Sequence, residues 1–363
     1  MSLTSDFVLP RTGKKIRNRT VLAAMTNKQS LDDGTLSDEE INWLLRRADG
    51  GFGIITTAAS HVSKSGKSWE GEMGVWGDHQ IHKLSKLANG IRERGSIGLV
   101  QIFHGGLRAP RSLTSTQPVS ASINLERGVE EESRELSNSE IENLIQDFGN
   151  AAKRCEEAGF DGVEIHGAHG YLISQFLGTR TNRRKDKWGG ELIDRALFLK
   201  EIIECVRQKT SEQFIICVRI SPEHDVGISI DDSLKLAKIL EEMNIDILHI
   251  SCWDIFSSAS DDLVSKRTIT SRFSEFLQNR IPLLTTGSIW NEDDGDFALS
   301  EGADLVGVAR VAIAHPDWAS KLGNSDYMPV KPPFTPEHLM SVELSPIFID
   351  YMRRWKGFVT DGK

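Results

Sequence analysis

Phe214-Ile-Ile-Cys-Val-Arg-Ile220 is a short β-branched run. Ser229-Ile-Asp-Asp232 opens an amphipathic stretch that reaches Met243, and Ile245-Asp-Ile-Leu-His-Ile-Ser251 is a second short run. The order is strand, helix, strand, with Ser229 and Asp232 spaced as in a capping box. Both runs are nearly continuous in apolar residues. That pattern belongs to strands covered on both faces, as in a parallel sheet wrapped by helices.

Working outward, the same alternation recurs along the chain. Eight candidate strands are legible: Thr20–Ala24, Gly53–Thr57, Ile97–Phe103, Asp161–His166, Phe214–Ile220, Ile245–Ser251, Ile281–Thr286 and Asp304–Val308. Ser137 followed by Glu140 opens a helix to Ala158, which Gly159 stops. Eight strands separated by helices in 363 residues, with no Pro/Gly/Ser linker, predict a single (β/α)8 TIM barrel over residues 1–363. Residues 107–136, rich in Pro, Ser and Thr, form a long excursion after the third strand, and a helical tail begins near residue 334.

The composition narrows the class. Hydrophobic residues make up 39% and charged residues 26%, enough apolar material for a sizeable core. The net charge of −9 argues against nucleic-acid or membrane-surface partners, so an anionic ligand needs local donors. Cys155, Cys205, Cys217 and Cys252 form no CxxC pair, which excludes a disulfide framework or a metal knuckle by spacing. Met1 to Arg19 lack an apolar signal region and no window reaches the length of a membrane span, so a cytoplasmic protein is expected.

In such a barrel the chemistry gathers at the C-terminal ends of the strands. The fourth strand runs into His166-Gly-Ala-His169-Gly-Tyr171. Two imidazole N–H groups could polarise one carbonyl or nitro oxygen, while Tyr171 keeps a transferable proton at pH 7. The HxxH spacing also suits a metal, but no Asp, Glu or Cys stands at a third-ligand position, and no metal is expected. Arg219, in an apolar strand, needs an electron-rich partner, either an internal ion pair or a ligand. Gln101 ends the third strand and can both donate and accept, as a heterocycle edge requires. Thr285-Thr-Gly287-Ser288 and Gly307-Val-Ala309-Arg310 follow the last two strands, where these barrels expose backbone N–H groups to phosphate. No GxGxxG or P-loop motif competes for that role.

Several blocks, in order, resemble the Old Yellow Enzyme family of FMN-dependent ene-reductases from end to end. They are Asn18-Arg19 through Ala23-Ala-Met-Thr26, Asp33-Gly34-Thr35, Arg47 to Gly53, and Gln101-Ile-Phe-His104-Gly-Gly106. They continue with Gly170-Tyr171-Leu172, Gln175-Phe-Leu177, Asn182, Arg184, Asp186, Gly189-Gly190 and Arg195, and end with Gly302 to Gly307 and Arg310 to Pro316. The resemblance implies that Ala23, Ala24, Met25 and Thr26 line the flavin, with Ala59, Gln101 and Arg219 touching its ring system. It places the phosphate on Gly287, Ser288, Ala309 and Arg310. His166 and His169 would hold the substrate oxygen and Tyr171 would protonate the α carbon. NADH or NADPH would reduce tightly bound FMN, which would then reduce a small molecule carrying an activated C=C bond. The alternative is the same flavin barrel with other chemistry, such as oxidation or demethylation. A barrel that binds flavin without turnover is a third reading, disfavoured because His166, His169, Tyr171 and Arg219 are all present. Ala309 departs from a usual Gly, which strains the implied phosphate turn if a positive φ is needed there. Family members sometimes insert a tail arginine into a neighbouring active site, a role open to Arg353 or Arg354 in a homo-oligomer.

Overall fold

The computed structural model describes residues 2–126, 131–262, 264–278 and 280–360. Eight strands form the barrel: β1 (Thr20–Leu22), β2 (Ile54–His61), β3 (Ile97–Phe103), β4 (Gly162–Gly167), β5 (Ile215–Ile220), β6 (Ile247–Ser251), β7 (Leu283–Thr286) and β8 (Leu305–Val308). Each pairs in parallel with its neighbours, and β8 closes onto β1 through Val306↔Thr20 to Val308↔Leu22. Every residue of these strands is buried, which is why their sequences read as apolar runs rather than as alternation.

All eight strands form at the expected segments; β4 runs one residue further, to Gly167, and β2 differs more. β2 continues past Thr57 to His61, and its pairing with β3 shifts register between Thr56 and Ala59. The irregularity inserts one extra residue and sets Ala59 opposite Gln101 at the barrel mouth. The two capped helices form as read: Asn138–Glu157, with reciprocal Ser137 and Glu140 bonds, and Ile230–Glu242, capped by the Ser229 hydroxyl.

Two apolar layers hold the barrel. The larger lies between strands and helices; the smaller fills the interior with Val21, Ile54, Leu99, Ile215, Ile247 and Leu305. A hairpin of Phe7–Val8 with Lys15–Ile16 plugs the lower end, with Leu9 and Ile16 fully buried in the inner layer. This plug is not legible from the residues alone, because two-residue strands carry no periodicity. The excursion after β3 contains a parallel pairing of Val119–Ser120 with Arg134–Glu135; residues 127–130 within it lie outside the described residues. The tail forms helices Pro336–Ser341 and Pro346–Met352. Among the described residues, no helix is long and apolar enough to cross a membrane.

Candidate active site

Strand register gathers the expected residues at one end of the barrel. Arg219 on β5 lies level with His166 on β4 and with His249 on β6, and Ala59 lies level with Gln101. Ala23, which follows β1, donates its N–H to Val308 O and so continues the closure, while Ala24, Met25 and Thr26 turn away half-buried.

His166, His169 and Tyr171 form one corner. The ring centroids of His166 lie 5.0 Å from His169 and 5.2 Å from Tyr171. Phe103 packs edge-on to Tyr171 at 5.1 Å, and Trp69 stacks on Phe103. Trp253 flanks His169 at 6.3 Å and is 80% exposed. Trp69 and Trp253 thus border this corner, whereas Trp76 packs on His79 and Phe256 on Phe297.

Hydrogen bonding assigns His166 its donor and ties His169 to Ser251. His166 Nδ1 accepts from the Ala168 N–H, so its proton sits on Nε2. Arg219 donates to Ser251 Oγ, which lies 2.8 Å from His169 Nε2. The Ser251 oxygen has two lone pairs and one proton, so beside the Arg219 bond it pairs with His169 Nε2 in either ring tautomer. Burial, and next the Arg219 cation, push both histidines well below the usual imidazole range, so both are neutral donors. Burial pushes Tyr171 up to about 12 against the pull of Arg108, so the phenol keeps its proton.

His169 adopts φ 61°, a left-handed conformation uncommon for a residue with a Cβ, and its N–H is fixed by Ser221 Oγ at 2.9 Å. Arg108 was not singled out in the sequence. Its guanidinium lies 5.3 Å from the Tyr171 ring, donates to His169 O, and is paired with Glu126 in the excursion. No spacing signal marks it, because the loop that carries it has no period.

The residues fit a flavin phosphate and ring. Thr286 and Gly307 are register partners, so the turns that follow them lie side by side. Gly287 has φ 147°, and a Cβ there would meet Cys252 O at 2.2 Å, while Ser288 is left-handed at φ 56° and exposed. Ala309 has φ −123°, so the turn does not ask its Cβ to tolerate a positive φ. Arg310 is exposed and forms no ion pair among the described residues. At the ring end, Arg219 Nε is buried with no partner, a donor that a ring carbonyl or anionic ring nitrogen would satisfy.

The tail arginines take other places in this chain. Arg353 Nη1 donates to Thr360 O, and Arg354 lies 5.3 Å over the Tyr351 ring.

Comparison with known proteins follows this geometry. The family model described as the NADH:flavin oxidoreductase / NADH oxidase family matches residues 11–327. The chain is 36% identical over 318 residues to a probable NADH-dependent flavin oxidoreductase, YqiG, of Bacillus subtilis, covering 86% of this chain and 85% of that protein. It is 35% identical over 332 residues to the NADH:fumarate oxidoreductase of Klebsiella pneumoniae, covering 88% of this chain but only 36% of that longer protein. An old yellow enzyme homologue from Zymomonas mobilis superimposes with a TM-score of 0.81 at 24% identity, covering 93% of this chain and 96% of that one. A 2-naphthoyl-CoA reductase does so with a TM-score of 0.80 at 26% identity, over 88% of this chain and 52% of that one. A family match across most of the chain, with a relative 36% identical along most of its length, places the chain in the NADH:flavin oxidoreductase / NADH oxidase family of FMN-dependent enzymes.

Proposed function

We propose that this barrel, read as one FMN-binding domain over residues 1–363, reduces C=C bonds conjugated to a carbonyl or nitro group at the expense of NADH or NADPH. One observation carries the reading. Two neutral imidazole donors and a protonated phenol share a corner of the mouth beside Arg219, in the number and kind that a polarised alkene requires. Bound FMN supplies hydride transfer in such a site. His166 Nε2–H and a ring N–H of His169 hold the activating oxygen and take up the charge that develops on it. Tyr171, kept protonated by burial, donates to the α carbon. Arg219 supplies the fixed cation at the ring, and Gly287, Ser288, Ala309 and Arg310 hold the phosphate. Ala23, Ala24, Met25, Thr26, Ala59 and Gln101 line the ring. A small-molecule substrate and a cytoplasmic setting agree with the four free, buried cysteines.

An absorption spectrum of the purified protein tests this, followed by anaerobic NADH or NADPH and then cyclohexenone. Flavin bands that bleach with the nicotinamide and return with the enone are expected. A colourless protein that refuses added FMN would sink the phosphate and ring assignments. A reduced flavin that ignores both an enone and a nitroalkene would move the chemistry to oxidation or demethylation.

A further inference from the structure

Just below the mouth the barrel interior changes from apolar to polar within one layer. Parallel register sets Glu164 on β4 level with Gln101 on β3 and Cys217 on β5, and Arg219 level with His249 on β6. Glu164 is 1% exposed and uses both oxygens. Oε1 accepts from Gln101 Nε2 at 2.6 Å; Oε2 accepts from His249 Nδ1 at 2.5 Å and, more weakly, from the Cys217 thiol at 3.5 Å. His249 Nε2 lies 3.1 Å from Thr286 Oγ1. Burial works against the carboxylate, but the N–H donors of His249 and Gln101 and the Arg219 cation hold it below the usual carboxylate range, while burial pulls His249 down.

Glu164, Cys217 and His249 lie close enough to gather around an ion, but the carboxylate and imidazole already bond each other directly. The network therefore points upward, toward Gln101 and Arg219. An ionised carboxylate only accepts, so Gln101 must turn its NH2 to Glu164 and present its carbonyl oxygen elsewhere. Glu164 is also the one anion among the groups acting on the buried Arg219, apart from the un-ionised Cys217 thiol.

We propose that Glu164 is a positioning residue of the flavin site: it fixes the Gln101 amide so that the ring edge meets an acceptor, and it offsets the Arg219 charge beneath the ring. This rests on the flavin reading above. In E164Q the side chain must offer one amide face to His249 N–H and the other to Gln101. If its oxygen accepts from His249, its NH2 confronts the Gln101 NH2 and forces that amide to flip. The flip replaces the acceptor at the ring edge with a donor, and the lost negative charge leaves Arg219 free to favour a reduced, anionic ring.

The test uses the FMN-loaded protein, with the flavin midpoint potential read against a reference dye and FMN affinity read from fluorescence quenching on titration of the stripped protein. E164Q is expected to favour the reduced form at least tenfold, an upward shift of about 30 mV for two electrons, and to bind FMN at least tenfold more weakly. E164D keeps the charge but shortens the arm, so it should keep the potential and lose affinity. E164Q with the wild-type potential and affinity overturns the proposal, as does E164D shifting the potential as far as E164Q. If E164Q does not fold, E164D alone decides by weaker binding at an unchanged potential. A wild-type protein that takes up no FMN overturns the flavin reading itself, whereas a yellow wild type with an unmoved variant overturns only the role of Glu164.

Discussion

In the proposed oxygen site His166 and His169 are each held by a neighbour that the motif alone does not name. His166 is fixed by the backbone N–H of Ala168, two residues away; His169 is fixed by Ser251, 82 residues away, which is itself held by Arg219. Replacing His166 by Ala removes one of two donors to the developing oxyanion. Turnover of cyclohexenone should fall by about 10²–10³-fold, with FMN still bound. Rapid-mixing single turnovers, with reduced enzyme reoxidised by enone, measure this step directly, and a rate within a factor of two of wild type would remove His166 from the oxygen site. In the same experiment Tyr171→Phe should slow reoxidation by less, because solvent can supply a proton. The motif HxxHxY was legible from residue types and strand-end placement. Ser251 and Arg108 were not, since a partner distant in sequence leaves no spacing to read.

The loops after β3 and β4 are joined by the short helix Leu172–Leu177, whose six residues are all buried. Gln175 does the joining. Its Oε1 accepts from the Leu107 N–H, and its Nε2 donates to Gly170 O and Gly105 O. The space is tight, for a Cβ on Gly106 would meet Gln175 Oε1 at 2.3 Å, and Gly106 is at φ +64°. Gln175→Leu leaves two buried backbone groups, the Leu107 N–H and Gly170 O, unpaired, while Gly105 O keeps the Arg108 N–H. It should lower stability by about 2–3 kcal/mol, since each such group is worth roughly 1–3 kcal/mol and the losses overlap. It should also slow enone reduction, because Gly170 precedes Tyr171. Denaturant midpoints and steady-state rates on one preparation would show both effects; wild-type stability would mean that the loops are held by other contacts. At this scale the long capped helices and the buried strands were readable, since Ser137 and Ser229 carry local cap chemistry. The plug hairpin and the bulged end of β2 were not, because tertiary pairing alone defines them.

Across the whole molecule, an unusual number of histidines is buried around the mouth, and this sets how the fold responds to acid. Burial holds His61 and His104 down to about 3, and pushes His166 and His169 well below the imidazole range. A group depressed in the fold contributes stability that is fully present above its unfolded value near 6.5 and is lost as pH falls toward the folded value. Glu40 and Glu72, raised by burial, act in the opposite sense: their contribution is present below about 4.5 and fades as pH rises through their folded values. Glu72 lies 2.8 Å from His61 Nδ1, so these two largely cancel, and the other histidines outnumber Glu40. Stability should therefore fall as pH is lowered from 7 toward 4. His104 isolates one share of this loss. Its Nδ1 accepts from the Gly106 N–H and its Nε2 lies 3.2 Å from Ser65 Oγ, so protonation would set two N–H groups against each other. In His104→Asn the amide oxygen can stand in for Nδ1 without titrating. Urea unfolding of both proteins under saturating FMN, at steps between pH 6.5 and 4, should give the variant a slope shallower by about 1.4 kcal/mol per pH unit. Equal slopes would show that His104 gains a proton in the fold as readily as in the unfolded chain, and the acid sensitivity would then belong to His166 and His169.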